Sequence, residues 1–91
     1  MIISLDEAKS YLRLDSNDED DYINRLIASA ESLCMDVACI DAATFAEHEN
    51  IARTSVLYAT AYLYEHREEA DHHDLVITLR SLLFGIRKEG F

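Results

Sequence analysis

Proline and tryptophan are absent from the chain, and its 91 residues include only two glycines, Gly85 and Gly90. An all-β fold needs turn residues between many short strands, so this shortage favours helix. Bases are scarce too: eight Lys and Arg stand against 18 Asp and Glu, for a formal net charge of −10. Such a surface repels phosphate, which argues against direct binding of DNA or RNA and against an anionic membrane surface. No apolar run is long enough to span a bilayer. The opening MIISLDEAKS lacks the basic region and apolar core of a signal peptide, so a cytosolic protein is expected. Cysteine is limited to Cys34 and Cys39. Five residues apart, they would lie about 140° apart on a helix, a poor geometry for a disulfide. Their spacing fits neither a CxxC redox site nor a zinc pair, and both are read as small buried hydrophobes in a reducing compartment.

What is present points to one small domain. The hydrophobic fraction is 49%, ordinary for a globular protein. The segment that organises the rest is Ile51–Glu68, which reads as a single helix of roughly 27 Å. Its apolar side chains cover most of the circumference, and Arg53, Thr60 and Arg67 form one narrow polar stripe. A helix of that kind is buried by neighbours on several sides. The expected fold is therefore all-α, a bundle of about four helices with three weaker ones wrapped round a long central one, spanning residues 1–91 as a single domain.

Taken in order, Ser4 and Glu7 form a capping box for a short helix ending near Leu12 or Arg13. Asp15–Asp21 reads as a turn and a second helix start, capped by Ser16 with Glu19 or by Asn17 with Asp20. Tyr22, Ile23, Leu26, Ile27, Ala30, Leu33, Cys34 and Val37 then follow in steps of three and four, the clearest amphipathic pattern in the chain. Val37–Thr44 reads either as a frayed helix end or as an irregular link. Thr44 and Glu47 repeat the capping-box pattern, which would start the central helix near Phe45 and carry it to about Glu69. Asp74 or Thr78 starts a last helix with Leu75, Val76, Leu79, Leu82 and Leu83 inward, and Gly85 is placed to stop it. Tyr58 and Tyr62 are expected in the core; Tyr11 and Tyr64 are expected to reach the surface.

Motifs that carry chemistry are missing. The acidic run Asp18–Asp21 lacks the central glycine and distal Glu of a calcium loop. His66, His72, His73 and Asp74 form the densest cluster of ligand-type residues, but no HExxH spacing accompanies them. There is no nucleophile elbow, no phosphate-cradling glycine loop and no dinucleotide fingerprint. No catalytic residue, metal site or cofactor is assigned, and no enzymatic activity is expected.

The order of these features resembles that of the small phage head–tail connector proteins, also called head-completion or DNA-packaging adaptors. The resemblance is carried by Leu5, Glu7, Ala8, Lys9, Tyr11, Leu12 and Arg13 in the first helix, Asp18, Asp20 and Asp21 in the turn, and Ile23, Leu26, Ile27 and Ala30 in the second helix. Tyr64–Glu68 and the closing Leu79–Leu83 with Arg87 extend it over most of the chain. The short Val37–Thr44 link and the missing proline depart from the family pattern and leave loop geometry open.

The resemblance implies a structural protein, in phage or prophage, that forms a ring of about a dozen copies beneath the portal. Such a ring extends the DNA channel and docks the next head-completion or tail protein. It implies a place at the virion head–tail junction, reached from the host cytoplasm, and no membrane. DNA would pass through the lumen without sequence-specific binding. The ring is expected to form either by itself or only on its partner.

A ring needs two different patches on each subunit. Residues 1–50 hold twelve acids and three bases, while residues 51–91 hold six acids and five bases. The candidate contact is therefore the acidic turn Asp18, Glu19, Asp20 and Asp21 of one copy against Arg53, Arg67, Arg80 or Arg87 of the next. The competing readings are an acidic protein-interaction module and a DNA-mimicking inhibitor of a basic partner.

Overall fold

The computed structural model describes residues 2–68 and 72–86. Among them are five helices and no strand: α1 (Leu5–Leu12), α2 (Asp20–Ala38), α3 (Ala42–Glu47), α4 (Glu49–Glu65) and α5 (His73–Leu82). The fold is the expected all-α bundle. α2 and α4 form its central pair, and α1 and α5 each pack against both of them.

Local chemistry accounts for most of the helix ends. The Ser4 hydroxyl accepts from the Glu7 N–H at 3.1 Å while the Glu7 carboxylate accepts from the Ser4 N–H at 3.2 Å, so the capping box opens α1 as expected. α1 and α2 close in the same way, on a residue in the left-handed region: Arg13 at φ 60° and Cys39 at φ 59°. The Leu14 N–H donates to the Lys9 carbonyl at 2.9 Å and the Ile40 N–H to the Met35 carbonyl at 3.2 Å. These bonds satisfy carbonyls that a helix end leaves open, in the arrangement for which glycine is favoured. With glycine absent from both places, Arg and Cys adopt the conformation.

Other boundaries differ from the sequence expectation. Neither Ser16 nor Asn17 caps α2. Ser16 accepts instead from the Asp18 N–H at 3.0 Å, closing a local turn, and Glu19 stands at the N-cap without a side-chain capping bond. The central helix does not run unbroken from Phe45 or Ile51 to Glu68. Asp41, accepting from the Thr44 N–H at 2.8 Å, caps the separate one-and-a-half-turn α3. The chain breaks at His48 (φ −103°, ψ 56°), and α4 stops at Glu65. The expected extension to Glu69 lies partly outside the described residues. α5 ends at Leu82, ahead of Gly85, and begins at His73, one residue from Asp74.

The core is built from the faces that the periodicity picks out. Ile23, Ile27, Ala30, Cys34 and Ala38 of α2 meet Ala52, Val56 and Ala59 of α4, with Leu75, Leu79 and Leu83 closing one side and Ile3, Ala8 and Phe45 the others. Small residues on α4 let α2 come close along its length. Tyr58 and Tyr62 are half-buried against this core. Thr60 is not part of a solvated stripe: it is 1% exposed, and with Ser55 it buries a hydroxyl that has no partner among the described residues. Cys39 is also a correction. Cys34 is buried, as expected, but Cys39 is exposed, because its role as a left-handed cap turns it away from the α2 face. Burial, then the nearby Glu31 carboxylate, pushes the Cys34 thiol up to about 12.

Candidate interaction surfaces

The acidic turn is partly consumed inside the molecule. Glu19 accepts from the Tyr64 hydroxyl at 2.8 Å, tying the start of α2 to the end of α4. Asp20 faces the Lys9 ammonium at 2.9 Å, and the same ammonium donates to Asn17 at 2.6 Å. Asp18 and Asp21 remain exposed, without an ion pair among the described residues.

The basic candidates do not form one patch. Arg53 is paired with Glu7 of its own chain, and that hydrogen-bonded pair, reinforced by the Ser4 N–H, holds the Glu7 carboxyl below its ordinary value. Arg67 lies past the other end of α4, 4.8 Å over the Tyr64 ring, and donates to the Tyr64 carbonyl at 3.3 Å. Its contacts with Tyr64 raise its pKa, and Glu19 adds to the effect. Arg80 is exposed on α5 and makes no ion pair among the described residues. Arg87 lies outside the described residues.

Tyr64 is therefore not a free surface group. It is half-buried, bonded to Glu19 and 6.4 Å from the Tyr22 ring. Tyr11 does reach the surface, 53% exposed. Two residues that sequence reasoning missed share that property: Ile77 is 47% exposed and Phe84 is 76% exposed. Their seven-residue spacing, outside the inward Leu75–Leu79–Leu83 row, was the available signal.

The histidine cluster packs on an aromatic ring. His66 stacks on Tyr62 with centroids 4.0 Å apart, and His72 meets the same ring edge-on at 6.1 Å. Among the described residues no group of three His, Cys, Asp or Glu side chains is placed to hold a metal ion. Nor is any described helix long and apolar enough to cross a membrane.

Two of the concavities are open grooves between helices. One, of about 460 Å³, lies between α1 and α4 and is lined by Asp6, Glu7, Ser10, Tyr11 and Leu57. Another, of about 210 Å³, lies where Leu82 of α5 meets Asn50, Ile51, Thr54 and Ser55 of α4. The described residues thus define a helical-bundle protein with its charged and aromatic groups dispersed over open grooves.

Which such protein follows from comparison of the whole chain. The family model of the phage gp6-like head-tail connector protein matches residues 2–89, so the chain belongs to that family. Comparison with curated proteins and with solved structures found no match. Family membership makes this a structural connector of the phage particle that associates with other head and tail proteins.

Proposed function

We propose that copies of this chain form a ring beneath the portal, extend the channel through which DNA passes, and present a platform to the next head-completion or tail protein. The match of the connector family over residues 2–89 carries this reading. The net charge of −10 supports the channel role, because an acidic lumen repels phosphate and lets DNA slide without adhering. The subunit waits in the host cytoplasm and closes into a ring on its partner. Of the charged residues proposed for the subunit contact, Asp18 and Asp21 on one side and Arg80 on the other keep their side chains unpaired among the described residues. Glu19, Asp20, Arg53 and Arg67 orient the chain's own helices first, and Arg87 follows Arg80 in sequence on the basic side. Exposed pairs of this kind steer and register subunits more than they bind them.

The test is native mass by light scattering over a concentration series, with and without a purified cognate portal ring. A discrete ring-sized species in either condition is expected. A strict monomer that ignores the portal refutes the reading.

A further inference from the structure

α3 and α4 are separated by one residue. His48 closes the first and opens the second at φ −103°, ψ 56°, so a change of about 100° in its ψ would bring it to the helical value and join the two. The local sequence does not ask for a break. Ala42–Glu65 contains no glycine or proline, and Asp41 already caps the start of the stretch. The break also leaves helix bonds unmade. Among the described residues, the amides of Glu49, Asn50 and Ile51 have no acceptor, although the carbonyls of Phe45, Ala46 and Glu47 stand four residues before them.

α3 is lightly held. Phe45 is its one buried residue, while Ala42, Ala43, Ala46 and Glu47 are exposed. A concavity of about 290 Å³ remains on its inner side, between Ala42, Phe45 and Ala46, Glu31 and Met35 of α2, and Ile2. In a straightened helix Phe45 would precede Ala52 by two turns and lie within about 20° of the same face. It would then continue the row Ala52, Val56 and Ala59 about 10 Å beyond its present end.

We propose that α3 is a hinged strap with two positions. In the bent form Phe45 fills the core; in the straight form α3 extends α4 through His48 and Phe45 leaves that seat. Straightening exchanges the burial of one aromatic side chain for three backbone hydrogen bonds. The two contributions are of similar size, so neither form overwhelms the other. The whole rotation falls on one residue at an element end, which is where hinges are built. A partner that binds one form better than the other moves the balance by that difference and no more. The proposal goes beyond the ring reading and does not depend on it.

The experiment is nuclear magnetic resonance on the isolated full chain, so its outcome is separate from that of the portal titration. In the unaltered chain, relaxation dispersion is expected at residues 42–51 and not along the middle of α2. Phe45→Ala removes the anchor of the bent form. Its thermal midpoint should fall, yet the Cα shift of His48 should turn helical, and the amides of Glu49, Asn50 and Ile51 should exchange at least about tenfold more slowly. His48→Ala and His48→Gly, which leave Phe45 in place, should differ about fivefold in the population of the straight form, the span between alanine and glycine at one helical position. A folded F45A chain whose three amides exchange as fast as in the parent overturns the proposal. So does dispersion that is absent from residues 42–51, or equal in H48A and H48G, and this pair decides the matter if F45A does not fold.

Discussion

Replacing Cys39 by glycine should make this protein more stable, although glycine is a poor helix former. Cys39 sits at φ 59°, ψ 39°, where its Cβ crowds the following carbonyl at a cost of roughly 1–2 kcal/mol. Glycine adopts this conformation freely but gives the unfolded chain more freedom, which takes back about 0.4–1 kcal/mol. Little else is at stake. The side chain is exposed, and its sulfur makes only a 3.7 Å contact with the Asp36 carbonyl. The bonds that close the helix, from the Cys39 N–H to Asp36 and from the Ile40 N–H to Met35, are backbone bonds that glycine keeps. The expected net gain is about 0.5–1 kcal/mol, a rise of roughly 2–8 °C in the thermal midpoint of a domain this size. The assay is thermal unfolding by circular dichroism of Cys39→Gly, Cys39→Asn and Cys39→Ala, with Gly above Asn, and Ala level with the parent. Since C39A removes the sulfur and keeps the Cβ, a gain in Ala equal to that in Gly would refute the backbone argument, as would a loss in Gly.

Other outcomes follow from the same structure. Thr60→Val should stabilise by about 1 kcal/mol in urea unfolding, since it replaces a buried hydroxyl without a partner by a methyl of the same shape. A thiol reagent should modify Cys39 in the folded protein and leave Cys34 untouched until the chain unfolds. The raised Cys34 pKa means that the folded state holds its proton above the ordinary value of 9.0. Stability should therefore fall with rising pH from about 9 towards 12, by at most about 1.4 kcal/mol per pH unit, and Cys34→Ala should remove that slope. Glu7 has the opposite sign. Its lowered pKa gives a contribution that is complete above the ordinary carboxyl range and is lost as pH falls through the folded value, so Glu7→Gln should flatten the acid limb of the stability curve.

The parts of the fold that could be read from the sequence were those decided locally. Ser4 and Glu7 announce α1 because both partners of the cap lie within four residues, and α2 is plain because Ile23, Ile27, Ala30 and Cys34 follow one face. The break at His48 was hidden because no glycine or proline marks it. Phe45, just before it, is buried in the core at 1% exposure, a long-range packing constraint that no local pattern announces. Thr60 was read as part of a polar stripe because it lines up with Arg53 and Arg67 at seven-residue spacing. Only the packed bundle shows that the arginines reach out at the ends of α4 while the middle of the stripe is covered.

For the candidate surface, sequence supplied the charged residues but not their partners. Pairs such as Glu7 with Arg53 and Glu19 with Tyr64 join positions 46 and 45 residues apart, which no local pattern reveals. Exposed Phe84 was passed over, although its seven-residue spacing from Ile77, off the inward Leu75–Leu79–Leu83 row, was there to be read.

α1 has eight residues, too few to persist as a helix by itself, and buries only one of its own side chains completely, Ala8. Beside Ala8 and the partly buried Leu5, two ion pairs along its flanks, Glu7 with Arg53 and Lys9 with Asp20, tie it to its neighbours. Its amides should therefore exchange with solvent through a partial opening that spares α2 and α4, and salt should widen that opening by screening both pairs. A partner that docked on α1 would have to choose the closed form of this segment, and part of its binding free energy would go into holding the first helix shut.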